Sequence, residues 1–245
     1  MPSLEETWEE ATSGLDRDVC DNWYTKLQEA YSEEKRTYHN LDYLRDKLKS
    51  FYEVKDNLKN PQTVLLAIFF QNMEYDARYG LGDKNVKHFL AFAKEAGIPE
   101  DGELLEKTCN LLVQAVLNLK KAHTILEAYG VEDDDYLLDF DVVALGSSPE
   151  EYAEYREKVR GEYSFFSEPM YTAFSLRCFL STGAANLPSD PEYLRNCGIP
   201  REIRGASAEK HPVNACLTFS PTSNELFHID PVIAVCATVK IPMHT

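Results

Sequence analysis

Three short segments of the chain place polar side chains beside strongly apolar ones. His39 lies in TYHNLDYL, the amides Gln71 and Asn72 follow a run of seven apolar residues, and Asp139 and Asp141 lie in LLDFDVVALG. Neutral imidazole suits transition metals, and carboxylates add charge neutralisation. A water molecule bound to such a metal becomes a nucleophile near neutral pH. If the three segments converge, these residue types could hold a metal ion and a water bound to it.

In order and context these segments resemble the HD-domain superfamily, specifically its branch of small metal-dependent phosphohydrolases. That branch has a YHN-type segment, an apolar helix ending in His-Asp with a tyrosine and an aspartate after it, and an LDADL-type segment. Residues Thr37–Leu44, Leu65–Asp76 and Leu137–Gly146 match these in turn. A tyrosine-rich helix and an Arg-x-Glu-Tyr segment follow in the family, and Glu151–Tyr155 and Arg160–Tyr163 resemble them. The resemblance covers roughly residues 20–180 and implies an all-α bundle.

The resemblance also implies a metal site and a substrate class. His39 matches the first histidine ligand of the family, and Asp141 matches the last aspartate, with Asp139 two residues before it. The family holds Mn, Fe, Zn or Mg and hydrolyses small phosphorylated molecules or nucleotides. Where it has the central His-Asp pair, this chain has Gln71-Asn72, which removes an imidazole and a negative charge. Amide oxygens do not replace these ligands for transition metals.

Three functions remain open. We expect a pseudoenzyme in which metal-dependent phosphate-ester hydrolysis is weak or lost, and we assign no catalytic residue. The first alternative is a non-catalytic binding or scaffold protein that uses the inherited cleft or its acidic surface and holds no cofactor. Independently of this choice, we expect Gln71 and Asn72 to lie in a buried polar network. The second alternative is an active hydrolase with a rebuilt metal site. Glu74 and Asp139 are its candidate substitute ligands. Glu74 is a candidate because it lies three residues after Gln71 and would share a helical face with it.

The elements that must position these residues are predicted to be helices. Apolar residues recur with a period of about 3.6, as in the stripe of Leu41, Leu44, Leu48 and Phe51. Asn60-Pro61 and the Ser148–Glu151 segment carry helix start signals, the second as a capping box. We predict an HD-like bundle of about nine helices, near residues 3–12, 17–33, 39–55, 61–75, 84–96, 103–128, 135–145, 149–164 and 167–181.

The last part of the chain differs from the rest. Residues 184–245 hold seven of the twelve prolines, and their six acidic and five basic residues give a net charge of −1. Since the whole chain carries −16, residues 1–183 carry −15. We therefore predict a helical domain over 1–183 and an irregular, Pro-rich extension over 184–245, in which 213–219 and 232–239 have β-type composition.

Charge and segment composition narrow the partners and the compartment. A strongly acidic domain opposes binding to nucleic acid or to anionic membranes. The acidic N-terminus lacks the basic and apolar pattern of a targeting peptide, and the longest apolar run is far short of the roughly 20 residues of a membrane span. Six dispersed cysteines without a CxxC pair are typical of reduced thiols. We expect a cytoplasmic or nuclear protein, whose protein partner the sequence does not identify.

Overall fold

In the computed structural model, residues 1–79, 82–117 and 131–181 are described. These residues are mostly helical and contain no β-strand, so the all-α prediction is confirmed. The helices are α1 (Leu4–Ala11), α2 (Arg17–Tyr31), α3 (Leu41–Val54), α4 (Pro61–Phe70), α5 (Gly82–Glu95), α6 (Glu103–Leu117), α7 (Asp133–Val142), α8 (Pro149–Glu162) and α9 (Glu168–Ser181). Short 3-10 turns extend α3 over Lys55–Asn57 and α7 over Val143–Gly146.

Helix α4 is the centre of the bundle. Its sequence is apolar on every side, and a helix of that composition is stable only when other elements surround it. Every residue from Thr63 to Phe70 is buried, and α1, α3, α5, α6 and α7 pack around it. Aromatic rings fill the space toward the N-terminal helices: the Trp8 ring centroid lies 5.1 Å from that of Phe69, and the Trp23 centroid lies 5.8 Å from that of Phe70.

Both predicted helix starts are confirmed, but only one of them is capped by its side chain as predicted. The Ser148 hydroxyl accepts from the Glu151 amide, and the Glu151 carboxylate accepts from the Ser148 amide, which is the predicted capping box. The predicted start of α4 is confirmed, with Asn60 at the N-cap and Pro61 in the first turn, but the Asn60 side chain makes no capping hydrogen bond. Its side chain accepts from Lys107 and donates to Asp133, whose carboxylate also accepts from the Asn60 backbone amide. A carboxylate from α7 thus meets the start of α4, which the local sequence does not reveal.

The predicted helix over 61–75 is too long, because α4 ends at Phe70. Carbonyl groups in the turn after α4 accept from side chains. The Arg36 guanidinium donates to the carbonyl oxygens of Asn72 and Met73, at 2.6 and 2.7 Å. The Asn85 side-chain amide donates to the carbonyl of Gln71 at 2.7 Å. Gln71 and Asn72 therefore lie in a turn directly after α4.

Several predictions fall wholly or partly on residues outside the described ranges. They are the continuation of α6 through residue 128 and the C-terminal extension 184–245 with its two β-type segments. Within the described ranges, no helix has the length and apolar character to cross a membrane.

Candidate functional site: a buried ion pair between three elements

A lysine ammonium and a carboxylate meet inside the bundle. Lys47 on α3 is 2% exposed and Asp141 on α7 is 6% exposed, and Lys47 Nζ lies 2.5 Å from Asp141 Oδ1. The same ammonium donates to the side-chain carbonyl of Gln71, in the turn after α4. Gln71 returns a hydrogen bond from Nε2 to Asp141 Oδ2 at 2.7 Å. A closed triangle of Lys47, Gln71 and Asp141 therefore joins α3, the end of α4 and α7.

Tyr43 completes the coordination of the carboxylate. Its hydroxyl donates to Asp141 Oδ1 at 2.7 Å and accepts from Asn72 Nδ2 at 3.2 Å. Burial and the negative charge of Asp141 raise the pKa of the Tyr43 phenol well above its usual range, so the phenol keeps its proton and donates it. Burial lowers the pKa of Lys47, while the attraction and hydrogen bond of Asp141 oppose that change.

His39 forms the second part of the cluster with Glu162, the last residue of α8. His39 is 3% exposed, and its Nδ1 lies 2.7 Å from Glu162 Oε2. The carboxylate also accepts from the Tyr75 hydroxyl at 2.8 Å and from the backbone amides of Tyr38 and His39, at 2.8 and 2.7 Å. Burial would raise the pKa of Glu162, but hydrogen bonding and the charge interaction with His39, together with the Tyr75 hydrogen bond, hold that pKa below its usual value.

The ionised carboxylate fixes the imidazole. Because it accepts at Nδ1, the Nδ1 proton is retained and Nε2 of a neutral His39 carries the lone pair. Nε2 is buried, and no hydrogen-bond partner for it occurs among the described residues. The rings of Tyr43 and Tyr75 lie 4.9 and 4.3 Å from the imidazole, between centroids. In its neutral form, a histidine held in this way can accept a hydrogen bond or a metal at Nε2.

The structure brings four predicted site residues into one cluster. His39 packs on Tyr43, and Tyr43 bonds to both Asn72 and Asp141. Gln71 bonds to Asp141 directly. We use the name polar cluster for seven residues: His39, Tyr43, Lys47, Gln71, Asn72, Asp141 and Glu162. The expectation of a buried polar network around the two amides agrees with these contacts.

Glu74 and Asp139, the two candidate substitute ligands, lie apart from the polar cluster. Glu74 accepts from Lys84 at 2.7 Å and pairs with His88 at 2.9 Å, near the surface. The premise that Glu74 shares a helical face with Gln71 is wrong, because α4 ends before either residue. Asp139 is half-buried, and no hydrogen bond joins its carboxylate to the cluster within the described ranges. Burial and the nearby charge of Asp135 raise the pKa of Asp139 to about 6.

Sequence reasoning missed Lys47, Tyr43 and the role of Glu162. One signal was available for Lys47: it lies three residues after Leu44 and one before Leu48, on the apolar face of α3, where a lysine needs a buried partner. Glu162 lies in the segment that resembles the Arg-x-Glu-Tyr segment of the family, but the sequence does not show its partners His39 and Tyr75, which are distant along the chain.

The polar cluster does not fit the metal that the family resemblance implies. Both oxygens of Asp141 accept hydrogen bonds, and the carbonyl of Gln71 accepts from Lys47. A cation already lies against the carboxylate that would bind the metal. In the described part of the chain, no group of three or more His, Cys, Asp or Glu side chains is placed to hold a metal ion.

Comparison with known protein families, with curated proteins and with solved structures gives no match for this chain. The protein is therefore classified by its architecture. It is an all-α bundle around an apolar central helix, with a buried lysine–aspartate pair beside a histidine–glutamate pair.

Proposed function

We propose that this chain is an HD-like domain in which metal-dependent hydrolysis of phosphate esters is lost, and that it acts without catalysis as a binding or scaffold protein. The resemblance of the ordered segments to the HD superfamily is the reason to propose that the chain descends from such a domain. One observation carries the loss of activity: Lys47 Nζ lies 2.5 Å from Asp141 Oδ1. Hydrolysis in the family needs a Lewis acid that lowers the pKa of a bound water, and an ammonium ion offers no coordination position for water.

The two amides support the same proposal. The side chain of Gln71 forms hydrogen bonds with Lys47 and Asp141, and that of Asn72 with Tyr43, so both amides stabilise the cluster internally. Satisfied buried polar groups of this kind make a rigid and specific core. The ligand or protein partner of such a domain would meet its surface, which carries the acidic excess of residues 1–183.

A second candidate, weak hydrolysis, is favoured by the geometry of His39. A metal-ligating histidine commonly donates its other ring N–H to a carboxylate, and His39 donates from Nδ1 to Glu162 in the same way. In this alternative, Mn, Fe, Zn or Mg would bind at Nε2 with Asp141, after Lys47 has moved or lost its proton. The substrate would be a small phosphorylated molecule or a nucleotide.

Metal content and turnover of the full chain distinguish the two. The protein is purified after supplementation with Mn, Fe and Zn, analysed for bound elements, and assayed with p-nitrophenyl phosphate and nucleoside phosphates. We expect less than about 0.1 metal ion per chain and no turnover above the His39→Ala and Asp141→Asn controls. Stoichiometric metal, together with a hydrolysis that either control abolishes, would overturn the proposal.

A further inference from the structure

The triangle of Lys47, Gln71 and Asp141 has the composition of a cation-binding site. Oxygen atoms of a carboxylate and of a side-chain amide face Nζ, and the Tyr43 ring centroid lies 5.5 Å from it. A carboxylate, a carbonyl dipole and an aromatic face are the groups that bind an ammonium ion in proteins. All three are buried, so water screens their attraction for a positive charge only weakly.

We propose that this is a built-in cation site whose occupant is the protein's own ammonium group, and that it binds a free primary alkylammonium ion once the Lys47 side chain is shortened. The occupant performs the structural task of a bound metal ion. It holds together oxygen ligands from the turn after α4 and from α7, while its own stem belongs to α3. The inference goes beyond the proposed function and stands on this geometry whatever the ancestry of the chain.

An ordinary buried salt bridge is the competing explanation. Buried ion pairs are often replaced by well-packed apolar residues without loss of stability, since desolvation offsets the attraction. If Lys47 and Asp141 were only such a pair, uncharged side chains of similar volume at both positions would serve equally well, and shortening Lys47 alone would leave no site that a free cation occupies. A cation site instead requires the positive charge at the position of Nζ, delivered by any molecule that fits.

Chemical rescue of Lys47→Ala tests this requirement in the full chain. The substitution removes three methylene groups and the ammonium, which n-propylammonium replaces atom for atom. We expect the variant to melt roughly 6–20 °C below the parent, because Asp141 is left buried without its counter-charge. Added n-propylammonium chloride should raise the melting temperature of Lys47→Ala saturably, by several degrees at concentrations well above its dissociation constant.

Three controls make the rescue specific. Sodium chloride at equal ionic strength controls for screening, and n-propanol controls for cavity filling without charge. The third is Lys47→Ala/Asp141→Asn, in which the anion of the site is removed. Propylammonium should stabilise Lys47→Ala more than either additive and should not stabilise the double variant or the parent. Equal rescue by propanol, no saturable rescue, or rescue that survives Asp141→Asn would overturn the proposal.

A second pair of variants keeps the proposal testable if Lys47→Ala does not fold. Lys47→Met retains the stem volume without charge, and we expect it to melt well below the parent and to recover in part when Asp141→Asn is added. Lys55→Met is the matched surface control, since Lys55 lies 2.6 Å from Glu10 in a partly exposed pair and should shift the melting temperature by only about 2–4 °C or less. Parent-like stability of Lys47→Met, or of Lys47→Met/Asp141→Asn, would refute the inference. The metal content of the parent chain tests the proposed function separately.

Discussion

The position of the Lys47 ammonium against Asp141 leads to a prediction about how a metal site could be restored in this chain. The variant Gln71→His/Asn72→Asp supplies the two ligand types that the HD resemblance implies and this chain lacks. On sequence grounds alone it should bind metal if the rest of the site survives. The structure changes that expectation: we predict that the double variant binds no metal while Lys47 is present, and that Lys47→Ala in the same chain allows binding.

Geometry gives the size of the effect. Lys47 Nζ lies 2.5 Å from Asp141 Oδ1. A metal about 2.2 Å from the same oxygen would then lie within about 4.7 Å of Nζ. With an effective dielectric constant of about 20, a divalent ion and a unit charge at that distance repel by about 7 kcal/mol, or roughly 10⁵-fold in affinity. The ammonium escapes this repulsion by moving away or by losing its proton, and in the second case the affinity rises about tenfold per pH unit.

Elemental analysis after gel filtration, and calorimetric titration with Mn²⁺ and Zn²⁺, measure the prediction. The parent and the double variant should each carry less than about 0.1 metal ion per chain near neutral pH, and the triple variant should approach one. Lys47→Ala alone controls for adventitious binding at the vacated position. Stoichiometric metal in the double variant, with no dependence on pH, would refute the reasoning, and so would a triple variant that folds and stays empty.

Three further substitutions test the contacts around the cluster. Gly161→Ala places a Cβ only 2.6 Å from Thr37 Oγ1. Alanine gains about 1 kcal/mol in helix propensity, but we expect the close contact to outweigh it and to destabilise the fold by a net of about 1–3 kcal/mol, measured by urea unfolding. A variant more stable than the parent would contradict this expectation. Glu162→Gln removes a charged acceptor and should destabilise by about 2–3 kcal/mol near neutral pH. Since the folded-state pKa of Glu162 is below 4.5, this contribution exists above that value, and the difference from the parent should shrink as the pH falls through the folded pKa. Asp139, with its pKa raised to about 6, opposes folding when ionised, so Asp139→Asn should raise the melting temperature at about pH 8 and lose that gain below about pH 4.

The helical fold was predictable because burial imposes a period. Leu44, Leu48 and Phe51 recur on one face of α3, and all three are buried. The end of α4 was not predictable by the same means. Its apolar pattern runs directly into Gln71, and the carbonyls of the turn that follows accept from Arg36 and Asn85, which lie on other parts of the chain.

The candidate site divides in the same way. His39, Gln71, Asn72 and Asp141 could be grouped because each has a position in the family resemblance, and the structure brings them into one cluster. Lys47 has no such position, and its partners lie 24 and 94 residues away in the chain. Only its place on the apolar face of α3 marked it as unusual, and that observation does not name a partner.

The bond between His39 and Glu162 has a consequence for how the chain folds during its synthesis. The backbone amide of His39 and the carboxylate of Glu162 are 123 residues apart in the chain. At about 5–20 residues per second, a ribosome needs roughly 6–25 seconds to reach Glu162 after it has added His39. Until then the Glu162 carboxylate is not available to the amides of Tyr38 and His39, so the segment before α3 cannot form its final hydrogen bonds. The N-terminal helices can assemble early, but this part of the domain closes only after α8 has left the ribosome.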